Sequence, residues 1–183
     1  MSSIVAIGEC GMDGHYPNFG KHVSIQQYLL DQQCQLARHF QLPLVIHSRD
    51  GFESTVKVLS AYTDLKIYFH CRWYAMQELE VLLRIFPQLR IGFCWNVTYS
   101  TAASLRESLL FLTQHPAFQS EKAHLLLETD APWLAPQPKR GSTNVPAYIS
   151  DIYTTATEVT GYTQKKFQEL VRDHWFKLYF DET

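Results

Sequence analysis

Apolar residues in this chain gather in five short runs separated by longer amphipathic stretches. The runs are Ile4–Gly8, Leu42–Ile46, Leu65–Phe69, Leu89–Phe93 and His124–Leu127. They are rich in Ile, Val, Leu and Phe and show little strict alternation. A strand with one wet face alternates, so such runs predict strands buried on both faces, the signature of a parallel sheet. Between them the apolar spacing becomes helical. Ile25, Leu29, Leu36 and Phe40 lie on or near one face of a first helix, with Ser24 and Gln27 spaced as a capping box. Phe52, Val56 and Leu59 predict a second helix. Met76, Leu79, Leu83 and Phe86 predict a third, stopped by Pro87; Leu105, Leu109 and Leu112 predict a fourth, ended by His115-Pro116. After the fifth run comes a loop with four prolines, APWLAPQPKRGSTNVP, and then helices around Ala147–Thr160 and Thr163–Phe180, the first capped by Gly161.

Strands alternating with helices predict βαβ units and an α/β fold. The 183 residues suffice for one domain, expected over 1–183. Composition adds little except exclusions. The net charge of −2 supplies no global basic field for a polyanion, although bound cations could. No run reaches the ~18 apolar residues of a membrane span, and the N-terminus has no basic, apolar leader. A cytoplasmic or nuclear protein is expected. Cys10, Cys34, Cys71 and Cys94 form no tight pair in sequence and are expected to be reduced thiols.

Candidate chemistry sits at the strand ends. The first strand is expected to end at Glu9, the second at His47, the third at His70 and the fifth at Asp130. In a parallel sheet all carboxyl ends share one side, where α/β proteins bind ligands. Each residue alone has a plainer use, as a hydrogen-bonded His or a capping Asp. Together, two imidazoles and two carboxylates make a site for divalent cations. The mixed donors suit Mg, Mn or Zn and do not choose among them.

The local sequences resemble those of the TatD-type metal-dependent nucleases. IGECGMD at 7–13, LPLVIHSRD at 42–50, FHC at 69–71 and LETDAPWLAP at 127–136 resemble family blocks in the family's order, and RGSTNVP follows. The resemblance implies a (β/α)₈ TIM barrel with a two-metal centre at its mouth, held in part by Glu9, His47, His70 and Asp130. It implies phosphodiester hydrolysis of DNA or RNA, often as a 3′ exonuclease, with Glu9 bridging the metals and Asp130 acting on the attacking water. Two departures matter. The family's first strand carries an HxH pair, and no HxH occurs here. A full barrel has eight strands, and five are predicted. The expectation is therefore the C-terminal portion of a family member, a barrel truncated at its N-terminus with impaired activity. The alternatives are a non-catalytic or unstable fragment whose exposed barrel edge seeks a partner, and another metal-dependent hydrolase on the same barrel.

Four further residues are candidates for substrate binding. Arg49 lies two residues past His47, for a phosphate or for an ion pair with Asp50 or Glu53. Lys139 and Arg140 could track a nucleic-acid backbone or stay solvated. Trp73, like Tyr74, Trp95 and Trp133, follows a strand and could stack on a base or pack at the mouth.

Overall fold

The computed structural model describes residues 4–15, 17–71 and 75–180. Five strands, β1 (Ile7–Asp13), β2 (Leu44–Arg49), β3 (Ile67–Phe69), β4 (Leu89–Phe93) and β5 (Ala123–Leu127), form one sheet in sequential order, every neighbouring pair parallel. The crossovers are α1 (Phe19–Phe40), α2 (Phe52–Leu59), α3 (Met76–Ile85), then α4 (Ala103–Gln114) with the short α5 (Pro116–Gln119). Helices α6 (Ile149–Thr160) and α7 (Gln164–Tyr179) follow β5, with Gly161 capping α6 in the left-handed conformation. Parallel strands in sequential order, each followed by a helix, are the winding of five successive units of a (β/α)₈ barrel.

Both faces of the sheet are apolar, which is why the runs do not alternate. Leu44, Ile46, Ile67, Phe69, Ile91 and Leu125 belong to the main core, whereas Val45, Tyr68 and Leu126 point to the other face and pack with Leu178 and Tyr179 of α7. Phe167 and Val171 of the same helix lie in the main core, so α7 passes from one face to the other across the β5 edge. There the Leu125 N–H donates to His174 Nδ1 at 3.1 Å. At the opposite edge the Asp13 N–H donates to Gln26 Oε1 (2.8 Å), and Gln26 Nε2 donates back to the Asp13 carbonyl (3.2 Å). Both edges, expected to be bare, are thus engaged in part by side chains of packed helices.

Three expectations need correction. The first strand lies three residues later than Ile4–Gly8: Ile4 and Val5 precede it and are 58% and 42% exposed. Glu9 is therefore inside β1, which ends at Asp13. The strand can continue because Gly11 sits against the backbone of His47, where a Cβ would collide with the carbonyl. The first helix turns its predicted face outward. Ile25, Leu29, Leu36 and Phe40 are 47–59% exposed, while Leu30, Cys34 and Ala37 are buried. Polar ties help set this rotation: Tyr62 donates to Asp31 (2.6 Å) and Arg38 Nε to Asp64 (2.9 Å). The helix also starts at Phe19, so Ser24 lies within it and forms no capping box. Third, Cys71 and Cys94 are not separate thiols. They are joined, with Cα atoms 5.3 Å apart, because β3 and β4 are neighbours and end side by side; Cys10 and Cys34 stay free and buried. No described helix is long and apolar enough to cross a membrane.

Candidate metal centre

The parallel register delivers Glu9 from β1, His47 from β2, His70 from the residue after β3 and Asp130 from the third residue after β5 to one side of the sheet. Glu9 links the two imidazoles: Oε1 lies 3.2 Å from His47 Nδ1 and Oε2 lies 3.4 Å from His70 Nε2. Asp130 Oδ1 is 3.6 Å from the same His70 Nε2. The four residues named from the strand ends therefore form one contiguous cluster. Backbone geometry marks the same place. Asp50, Cys71 and Asp130 follow their strands with φ of 50°, 40° and 55°, a left-handed conformation that costs energy for residues with a Cβ and gathers at functional sites.

Two carboxylates absent from the sequence-based set complete the cluster. Asp13 Oδ2 lies 3.4 Å from His47 Nε2. Glu128 Oε2 lies 2.7 Å from His70 Nδ1. Glu128 is itself held by the Tyr68 hydroxyl, which donates to Oε2, and by the Cys71 N–H, which donates to Oε1. Room for this carboxylate comes from Gly92 on β4, where a Cβ would strike both Glu128 and Tyr68. The signals were present in the sequence: Glu128 precedes Asp130 by two residues, and Asp13 closes IGECGMD. Asn144, 2% exposed, braces the loop after β5 by donating to the carbonyls of Thr129 (2.6 Å) and Leu134 (3.2 Å).

The electrostatics are those of a site short of positive charge. Burial opposes the charged form of His70, but Glu128, Glu9 and Asp130 outweigh it and raise its pKa to about 9. The hydrogen bond to Glu9 raises His47 against the opposing effect of burial, and the same bond lowers Glu9. Burial raises Asp130, with Glu128 reinforcing and His70 opposing. Even with both imidazoles protonated, four carboxylates leave a formal charge of −4 + 2 = −2. One divalent cation taking the place of those two protons would leave the formal charge at −2, and a second would neutralise it.

Four imidazole–carboxylate pairs of the cluster are each spaced as two ligands of one such ion would be. Nitrogen and oxygen ligands about 2.0–2.1 Å from a tetrahedral ion lie about 3.3 Å from one another. Apart from the 2.7 Å Glu128–His70 contact, the imidazole–carboxylate separations of the cluster run from 3.2 to 3.6 Å, at or beyond the long end of good hydrogen bonds. Glu128 on the far nitrogen of His70 orients the ring so that Nε2 faces Glu9 and Asp130, the usual carboxylate–histidine–metal relay.

The substrate-binding candidates are more dispersed. Arg49 is the last residue of β2, half-buried, opposite Asp13. Lys139 and Arg140 are exposed and stand over the rings of Tyr148 and Tyr99, at 5.9 and 5.4 Å. Trp73, with Tyr74, lies outside the described residues. Trp95 is buried and packs on Tyr99, whereas Trp133 is 69% exposed.

Comparison with known proteins agrees with this picture. Residues 1–180 match the family described as TatD related DNase. The human 3′-5′ RNA nuclease TATDN2 is 34% identical over 135 residues, which cover 73% of this chain and 17% of that protein. The uncharacterized metal-dependent hydrolase YcfH of Escherichia coli K12 is 27% identical over 178 residues, 96% of this chain and 63% of that one. The crystal structure of YJJV, a TatD homolog from E. coli K12, shares the fold with a TM-score of 0.83 at 24% identity, over 98% of this chain and 65% of that one. The chain thus spans less than two thirds of the length of each of these proteins. With a family match over nearly all its residues, this chain belongs to the TatD related DNase family.

Proposed function

We propose that the protein hydrolyses phosphodiester bonds of DNA or RNA with divalent cations, as a 3′ exonuclease. The observation that carries this reading is the cluster in which Glu9 touches both imidazoles while Asp130 stands against His70. The family's description as DNases, a relative named as a 3′-5′ RNA nuclease and another named as a metal-dependent hydrolase support it.

A phosphodiester is anionic and inert, and divalent cations address both problems by acidifying a bound water and neutralising phosphoryl oxygens. Glu9, His47 and His70 would hold one ion. Asp130 would contribute to a second and would orient or deprotonate the attacking water. Glu128 would keep the His70 ring turned toward the ion. Arg49, on the same face of β2 as His47, would contact a substrate phosphate, and Lys139, Arg140 and Trp73 would be further contacts to nucleic acid.

These 183 residues contain no HxH pair. On their own they would hold the Glu9–His47–His70 ion and cleave slowly. The test is incubation of the purified chain with 5′-labelled single-stranded DNA and RNA in Mg²⁺, Mn²⁺ or Zn²⁺. The expected result is slow shortening from the 3′ end that needs the metal and disappears in Glu9→Gln. Cleavage that ignores the metal or survives Glu9→Gln overturns the proposal. The missing HxH pair also favours a second reading, a chain that binds metal without cleaving. Metal binding with no product after prolonged incubation would select it.

A further inference from the structure

The cystine at the mouth is one side chain away from the metal cluster. Ligand atoms of His70, Cys71 and Asp130 all lie within 4.8 Å of one another. Cys71 is bonded to Cys94, at the end of the neighbouring strand. The two sulfurs are not equivalent. Cys94 is fully buried, and its Sγ lies 3.3 Å from Asn96 Oδ1, an acceptor ready for a thiol proton. Cys71 is 7% exposed and sits at the rim, with its backbone N–H anchored on the Glu128 carboxylate that also orients His70. Broken, the bond leaves Cys94 with a partner on its own side and Cys71 facing His70 and Asp130.

We propose that Cys71 is a redox-controlled metal ligand. Joined to Cys94 it is silent, and the centre offers only nitrogen and oxygen donors. Reduced, it adds a thiolate beside His70 and Asp130 and turns the same centre toward zinc. The inference rests on the divalent-metal reading above and adds a regulation of that site. The chemistry balances with a small-molecule thiol as reductant. Two molecules of the thiol become one disulfide, the cystine takes up two electrons and two protons, and Cys71 and Cys94 become thiols. A bound cation then displaces the Cys71 proton to solvent, while Cys94 keeps its own. Soft thiolate favours zinc, whereas carboxylate and imidazole alone also accept magnesium and manganese.

Cobalt(II) reports the ligand directly, because thiolate coordination adds a charge-transfer band in the near ultraviolet. The band is expected in the reduced chain and in Cys94→Ser under either condition, and not in the oxidised chain or in Cys71→Ser. Zinc affinity, measured by competition with a chromophoric chelator, should tighten on reduction by at least the ~10–100-fold that an outer-sphere partner contributes. Manganese affinity should not change. Alkylation of the unfolded, unreduced chain should label only Cys10 and Cys34, by mass, with Cys71 and Cys94 added after reduction. Cobalt bound to the reduced chain without the band overturns the inference and leaves the metal centre standing. Failure of every form to bind cobalt or zinc overturns both. Four labelled cysteines before reduction also overturn it. The reduced wild-type chain and Cys94→Ser decide the matter even if Cys71→Ser does not fold.

Discussion

The protein holds two pairs of neighbouring histidines, one at each end of the sheet, in opposite surroundings. At the carboxyl ends of the strands, His47 and His70 stand among Glu9, Asp13, Glu128 and Asp130. At the other end, His124 near the start of β5 stacks on His174 of α7, ring centroids 4.4 Å apart and nearly parallel. Burial penalises the imidazolium in both places. At the mouth the carboxylates outweigh it, and His70 rises to about 9. At the base burial is reinforced by His174, Arg90 and Lys177, and His124 falls to about 3. Burial likewise lowers His174, whose Nδ1 accepts the Leu125 N–H at the sheet edge. The same side chain is thus pushed toward its charged form where acids converge and is a neutral packing and edge-capping group where bases do. Neighbours decide its role, not its residue type or its burial.

The contrast can be broken most sharply at Glu9, the carboxylate that touches both upper imidazoles. Glu9→Gln should lower divalent-metal affinity by more than ~100-fold, beyond the range for outer-sphere changes. Calorimetric titration of the purified chain checks it, and an affinity equal to the wild type's would dissolve the distinction between the two pairs. A smaller loss, ~10–100-fold, is expected for Glu128→Gln, which leaves the ligands in place but weakens the hold on the His70 ring. If that variant binds metal normally, the orienting role of Glu128 is wrong.

The smallest effect concerns the lower pair and appears in acid. His124 has a folded pKa of about 3, below its ordinary 6.5. Between those values the unfolded chain binds a proton that the native chain refuses. Its contribution to stability is therefore complete above about 6.5 and shrinks as the pH falls toward 3. The steepest slope for one such group is ~1.4 kcal/mol per pH unit. His124→Phe keeps a ring on His174 and removes the titration. Urea unfolding between those limits should show a shallower loss of stability in the variant, with metal affinity near neutral pH unchanged. Identical slopes would mean that His124 does not stay neutral in the native state.

Much of this fold was legible from local pattern. The unbroken apolar runs pointed to strands buried on both faces, and strand-end chemistry picked out Glu9, His47, His70 and Asp130. Helices α2, α3, α4, α6 and α7 lie close to where apolar spacing, proline and Gly161 put them. The failures share a cause. Which side of α1 is buried depends on the rest of the packing, including the ties of Asp31 to Tyr62 and Arg38 to Asp64, across 31 and 26 residues. Glu128 stands just past β5, two residues before Asp130, but its use became visible only once Tyr68, Gly92 and the Cys71 N–H were seen to enclose it.

Residue order alone settled the alternation of strands and helices, because backbone periodicity and burial on two faces are written in neighbouring positions. It also pointed to four of the groups that gather at the mouth, because all strands of a parallel sheet end on one side. What those groups do to one another was decided only by the packed fold. Burial and charge act through space, so the two histidine pairs diverge by neighbours far away along the chain. Cys71 and Cys94, 23 residues apart, meet for the same reason, since adjacent strands bring their ends together.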